Sequence, residues 1–236
     1  MQPGTLFLIP VPLADEAAAK SFTPYLVDTI NVVKEYIVEN EKTARRFLKL
    51  AGLISPQSEL LIHDYGKHNR ENGLKEFFTG LLAGRDVGLM SEAGCPGIAD
   101  PGAEIVAEAH RKGIKVVPLV GPSSILLALM ASGFNGQSFT FHGYIPIDKV
   151  ERAKKIKEME SLAENNKQTQ LFIETPFRND SMLDNVLKAA KPQTKLCIAC
   201  DITAPTEFIK TMTIAEWKKQ VPDLRKRPAI FLIFHP

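Results

Sequence analysis

Apolar residues in this chain recur in two rhythms. Short runs rich in Val, Ile, Leu and Phe are TLFLIPV (5–11), YIV (36–38), DVGLM (86–90), IKVVP (114–118), QLFI (170–173), KLCIAC (195–200) and AIFLIF (229–234). Most are bounded by Gly, Pro or a charged residue, as buried strands are. Between them lie segments with apolar positions at helical spacing: 22–36, 43–52 ending at Gly52, 72–82 with Leu74, Phe77, Phe78 and Leu81 inward, and 180–190. ILLALMASG (125–133) is apolar nearly all round, which predicts a buried helix closed by Gly133. In 148–167, Val150, Ala153, Ile156, Met159 and Leu162 make one face, and Lys149, Arg152, Lys154, Lys155 and Lys157 fall on the rest. Strands alternating with helices predict an α/β fold built on parallel strands.

The segment that separates this chain from a generic α/β protein is GLMSEAGCPGIADPG (88–102). It joins the strand 86–90 to a helix for which Asp100 is the expected cap and Pro101 the expected first turn. Arg111 and Lys112 suit that helix's negative end and Gly113 its C′ position. Strand, glycine-rich loop, helix, strand puts the loop at the carboxyl ends of the strands, where open α/β sheets bind small ligands. Gly94 and Gly97 allow close backbone approach, and N–H groups beside a helix start suit a carboxylate or phosphate. Neither the P-loop nor the GxGxxG spacing is present, so spacing alone leaves open a ligand loop or a plain tight turn.

Composition narrows the class. Of 236 residues 44% are hydrophobic and 24% charged, as in an ordinary globular protein, and no apolar run would span a bilayer. The N-terminal stretch lacks a basic flank and a small-residue cleavage site, so a cytoplasmic location is expected. A net charge of +2 means that nucleic-acid binding requires a local patch. Three cysteines give no disulfide framework. Cys197 and Cys200 lie three apart on a strand, so they point to opposite faces and make a poor metal or redox pair. His63-Asp64 and His68-Asn69 fall in a predicted polar loop with no third ligand at suitable spacing, so no metal site is expected.

The 91–102 segment resembles the S-D-A-G-T-P-G-I-S-D-P-G signature of the rRNA small subunit methyltransferase I family, within the tetrapyrrole (corrin/porphyrin) methylase superfamily. Other segments follow in order. Gly121-Pro122-Ser123-Ser124 stands for P-G-x-S-S, FTFHGYIP for F-x-F-x-G-F-L-P, QLFIETPFR (170–178) for L-I-F-Y-E-S-T-H-R, and IACDIT for V-A-R-E-L-T. The chain departs from the family at Ala14, at Asn40 in the E-D-T-R segment (here Glu39-Asn40-Glu41-Lys42), at Phe177 for histidine and at Cys200 for arginine.

The resemblance implies a tetrapyrrole-methylase-like fold of two α/β domains, 1–118 and 119–236, with the cofactor cleft between them, and a homodimer. It implies S-adenosylmethionine as cofactor, with Leu13, Gly94, Cys95, Gly97, Ile98, Ser124, Ile125, Ala199 and Pro228 as its contacts, and no metal. The implied reaction is methyl transfer, with ribose 2′-O-methylation of small-subunit ribosomal RNA as the expected activity and RNA as partner. A small-molecule acceptor such as a tetrapyrrole, a modified protein side chain, or a non-catalytic role are the alternatives. Glu39, His68 and Glu174 are the candidate acid–base groups. A basic segment follows the G-F-L-P motif in that family, so Lys149, Arg152, Lys154 and Lys155 are expected to hold RNA phosphates.

Overall fold

The computed structural model describes residues 2–65 and 74–235. Contacts divide the chain into two units, one running to Ser123 and one starting at Ser124. The first contains β1 (Thr5–Leu8), α1 (Ala18–Ser21), α2 (Pro24–Val32), β2 (Glu35–Val38), α3 (Glu41–Leu50), β3 (Leu61–Asp64), α4 (Leu74–Phe77), α5 (Thr79–Leu82), β4 (Val87–Met90), α6 (Ala103–Arg111) and β5 (Lys115–Pro118). Its sheet runs β3-β2-β4-β1-β5 with every pair parallel, and Leu6 pairs with Val87 on one side and Val116 on the other. Strand periodicity sorts the apolar residues into two cores. Tyr36 and Val38 join Leu26, Ile30, Phe47 and Leu48 from α2 and α3, while Ile37 joins Phe77, Phe78, Leu81, Ile105 and Ala109.

Local chemistry sets the element ends. Asn40 caps α3 by accepting from Thr43 N at 3.1 Å, so the Glu39–Lys42 segment is a helix start. At the end of α6, Gly113 at φ 67° donates to His110 O and Ile114 donates to Ala109 O, the paired bonds of a Schellman motif. Two expectations in this unit are corrected. His63 and Asp64 are not in a loop: they close the edge strand β3. His63 Nε2 lies 3.0 Å from Oε1 of buried Glu35, whose other oxygen pairs with Arg85 at 2.9 Å. A carboxylate withdrawn from water needs such partners, and Gly80 leaves it room, since a Cβ there would sit 2.1 Å from its oxygen. The predicted helix over 72–82 is broken at Phe78 into α4 and α5.

The second unit contains α7 (Ser124–Ser132), β6 (Phe139–Tyr144), α8 (Lys149–Asn166), β7 (Thr169–Ile173), α9 (Asn179–Ala189), β8 (Lys195–Cys200), β9 (Phe208–Thr213), α10 (Ile214–Trp217) and β10 (Ala229–Phe234). The sheet order is β6-β7-β10-β8-β9; β6 and β7 are parallel and the other pairs antiparallel. Its core gathers Ile156, Met159, Met182, Val186, Ile198, Trp217 and Phe231. Cys200 belongs to that core, whereas Cys197 faces the other way and is hydrogen-bonded to Thr211. Burial pushes both thiols up to about 11, so they stay protonated and inert.

Both predicted faces in this unit are corrected in part, with Ile156 and Met159 of α8 buried as expected. On α7, Leu126 and Met130 are 51% and 77% exposed, so the helix is not buried all round. On α8 the buried residues are Arg152, Ile156, Met159, Glu160 and Ala163, while Val150 is exposed. Arg152 turns inward because the chain entering the helix leaves carbonyls to satisfy. Its Nε donates to Pro146 O at 2.9 Å and its Nη2 to Ile147 O at 2.5 Å. It is therefore withdrawn from any phosphate. On the same helix Lys154 and Lys155 are paired with Glu151 and Glu158. Arg152→Ala should lower unfolding free energy by about 2 kcal/mol in urea, because two carbonyls lose a charged donor. An unchanged midpoint would mean that water replaces the guanidinium at no cost.

Candidate active site

The connections of the first sheet create the site. From β1 the chain passes over β4 to β2, and from β4 it passes over β1 to β5. Connections therefore leave these neighbouring strands in opposite directions, the arrangement beside which open α/β sheets bind ligands at their carboxyl ends. The loops that follow are tied to one another. Val11 N donates to Gly94 O at 2.9 Å and Gly94 N to Val11 O at 2.8 Å, an isolated antiparallel bridge between the β1 and β4 loops. The β5 loop joins through Cys95, whose Sγ donates to Pro122 O at 3.4 Å. It also packs on the β1 loop, since a Cβ on Gly121 would lie 2.1 Å from Pro10 Cγ.

Glycines are required at the bends. Gly94 is at φ 72° with Leu13 and Pro122 O near the position a Cβ would take, and Gly97 is at φ 76°. A single hydrogen bond, Ile98 N to Cys95 O at 3.2 Å, closes the turn through Gly97. Ala99 (φ 61°) and Gly102 (φ 121°) keep the chain out of the helical region. That corrects the expected cap: α6 starts at Ala103 with Gly102 at its N-cap, and Asp100 and Pro101 remain in the loop. Burial first, and the Glu92 charge second, raise the Asp100 carboxyl above the usual range. Burial also raises the Cys95 thiol. The backbone N–H groups of Gly97 and Ala99 have no protein acceptor among the described residues.

The sequence-derived candidates fall into three groups. Leu13, Gly94, Cys95, Gly97 and Ile98 lie on the tied loops of the first unit, with Ile98 53% exposed. Glu39, half-buried, directly follows β2 at the same sheet end. Ser124, Ile125, Ala199 and Pro228 belong to the second unit. There Ser124 and Ile125 open α7, Ala199 is fully buried in β8, and Pro228 O accepts from Asp201 N at 2.9 Å. Glu174, also in the second unit, is buried after β7 and accepts from Thr175 N at 2.7 Å and Arg178 Nη2 at 2.6 Å. His68 lies outside the described residues. Among the described residues, no group of three His, Cys, Asp or Glu could hold a metal, and no helix is long and apolar enough to cross a membrane.

Sequence reasoning missed the ties themselves. Val11 carries the bridge with no motif of its own, and the Gly121–Ser124 motif does not show the thiol contact of Pro122, because in each case the partner stands far along the chain. Asp201 and Arg227, paired at 2.7 Å across the ends of β8 and β10, were equally hidden.

Comparison with known proteins agrees with this architecture. The family model for Tetrapyrrole (Corrin/Porphyrin) Methylases matches residues 13–218. Ribosomal RNA small subunit methyltransferase I of Bacillus subtilis is 33% identical over 90% of this chain and 68% of its own length. The protein of the same name from Vibrio cholerae is 29% identical over 98% of this chain and 76% of its own. The crystal structure of the methyltransferase CobJ superposes with a TM-score of 0.63 at 17% identity, covering 100% of this chain and 95% of that one, which speaks for the fold. The chain belongs to the tetrapyrrole methylases, a family of methyltransferases, and within it to the group of ribosomal RNA small subunit methyltransferase I.

Proposed function

We propose that this chain transfers a methyl group from S-adenosylmethionine to a ribose 2′-hydroxyl of small-subunit ribosomal RNA. The observation that carries the reading is the double hydrogen bond between Val11 and Gly94, which fixes two strand-end loops to one another at the carboxyl end of the first sheet. The names of the relatives supply the acceptor. The residues present fit the cofactor: Gly97 and Ala99 offer N–H donors for its polar ends, and Leu13 and Ile98 offer apolar surface. Ser124, Ile125, Ala199 and Pro228 are proposed as further contacts on the family resemblance.

Bound S-adenosylmethionine supplies a methyl carbon already activated by its positive sulfur. The protein's share is then mainly alignment, for which effective molarity is the large term. Cys95 would make a competing nucleophile as a thiolate, and burial with its bond to Pro122 O keeps it a thiol. A base must take the hydroxyl proton late in the transfer. We assign this to Glu39, which stands at the ligand end of the first sheet. His68 remains a candidate, and Glu174, held by two donors, serves better to orient Arg178. The same reading makes the protein a cytoplasmic homodimer.

Small ribosomal subunits from cells lacking this protein should take label from tritiated S-adenosylmethionine into one ribose 2′-oxygen. Label in a base, a protein or a tetrapyrrole would overturn the acceptor. Gly97→Val places a β-branched side chain at φ 76°, where it is strained, and beside a proposed ligand donor. Calorimetry should give at least about 10-fold weaker S-adenosylmethionine binding, equivalent to about 1.4 kcal/mol; unchanged affinity would mark the loop as a plain turn. With its pKa raised, Cys95 should react with iodoacetamide more slowly than free cysteine at pH 7.5 and faster as pH rises. S-Adenosylmethionine should slow it further; equal rates with and without ligand would remove Cys95 from the site.

A further inference from the structure

The turn between β7 and α9 holds a large aromatic side chain in solvent. Phe177 is 78% exposed, whereas its neighbours Glu174 and Asn179 are buried. The turn beneath it is braced on every side. Arg178 N donates to Thr175 O at 2.9 Å, and the Glu174 carboxylate takes Thr175 N and Arg178 Nη2. A second segment is stitched alongside: Lys226 N donates to Pro176 O at 3.1 Å, Asn179 Nδ2 to Arg227 O at 2.6 Å, and Leu224 N to Asp180 Oδ1 at 3.0 Å. Lys226 keeps its place there in a left-handed conformation, φ 59°, which a lysine adopts only under constraint. A mobile loop would let an exposed Phe fold down onto apolar surface; this one holds the ring out.

Cations and carboxylates both line this turn, and three of the cations are incompletely paired. Arg178 spends Nη2 on Glu174, yet its buried Nε has no hydrogen-bond partner among the described residues. Arg225 is 73% exposed and meets Asp223 at only 3.4 Å and Asp180 at 4.0 Å. The Lys226 side chain is exposed and forms no ion pair among the described residues. A rigid exposed ring flanked by cations suits a nucleotide, which brings a flat base and a phosphate together. A purely apolar partner would leave those cations without counter-charge.

We propose that Phe177 is a stacking platform for an unpaired base of the RNA acceptor, with Arg178, Arg225 and Lys226 holding the phosphates beside it. This rests on the reading of the chain as an RNA methyltransferase. It locates base stacking on the β7–α9 turn; on α8 Arg152 is buried and Lys154 and Lys155 are paired with glutamates, which leaves Lys149 of the four basic candidates exposed and without an ion pair among the described residues.

Binding of a fluorescent single-stranded RNA 12-mer to the full-length chain tests it, alongside methylation of small ribosomal subunits. Phe177→Ala and Phe177→Leu should each weaken RNA binding about 5-fold or more and raise KM for subunits, since neither has a π-face. Phe177→Trp should bind as the parent or tighter. S-Adenosylmethionine affinity and unfolding midpoint should not move in any of them. Lys226→Glu should reduce the salt slope of RNA binding by about 0.7 log units. If the parent binds and methylates RNA while Phe177→Ala and Phe177→Leu match it, the platform is wrong and the RNA reading stands. If Phe177→Leu alone matches the parent, the contact is hydrophobic and stacking is overturned. A parent that binds no RNA overturns both.

Discussion

The cofactor site proposed for the first sheet depends on one backbone pairing, the reciprocal hydrogen bonds between Val11 and Gly94. Strand-end loops have few apolar contacts to hold them, and a crevice made only of loops would close or splay. Here the pairing fastens the β1 loop to the β4 loop where the two connections set off in opposite directions past each other's strand. Cys95 and Gly121 then attach the β5 loop to the same knot. Each tie requires its residue type. Gly94 needs its positive φ, Gly121 leaves no room for a Cβ beside Pro10, and the Cys95 thiol supplies the donor that reaches Pro122 O.

The β4–α6–β5 unit was legible because its signals are local. Val87–Met90 and Lys115–Pro118 are short apolar runs, and Gly113 after Arg111 and Lys112 reads as the helix end it forms. The other end of α6 was misread for a physical reason. Asp-Pro is a good helix start by propensity, but Ala99 and Gly102 take left-handed conformations that hold the chain in a ligand-type loop for two more residues. Local preference gave way at the segment proposed to hold the cofactor, where such conflict is expected.

Long-range partners explain the remaining misses. The phase of α8 follows from Arg152 reaching the Pro146 and Ile147 carbonyls, a demand invisible in a hydrophobic pattern. His63 looked like a loop residue because its partner Glu35 stands on the neighbouring strand. FIKTMT (208–213) has the alternation of a half-buried edge strand, and its pairing with β8 makes it β9. The departures also acquire meaning. Cys200 lies in the core, so the charge of the family's arginine is lost at that place and not moved nearby on the strand. Phe177 keeps a flat ring where the resembling family has histidine, but gives up the proton acceptor.

Hydrogen exchange of the backbone amides with and without S-adenosylmethionine measures the central claim most directly. If the tied loops hold the cofactor, Val11 and Gly94 should exchange slowly even in the free protein. Peptides covering 94–100 and 119–123 should then gain protection on adding ligand, as N–H groups without protein acceptors find one. Fast exchange at Val11 and Gly94, or protection that arises only elsewhere in the chain, would contradict the account.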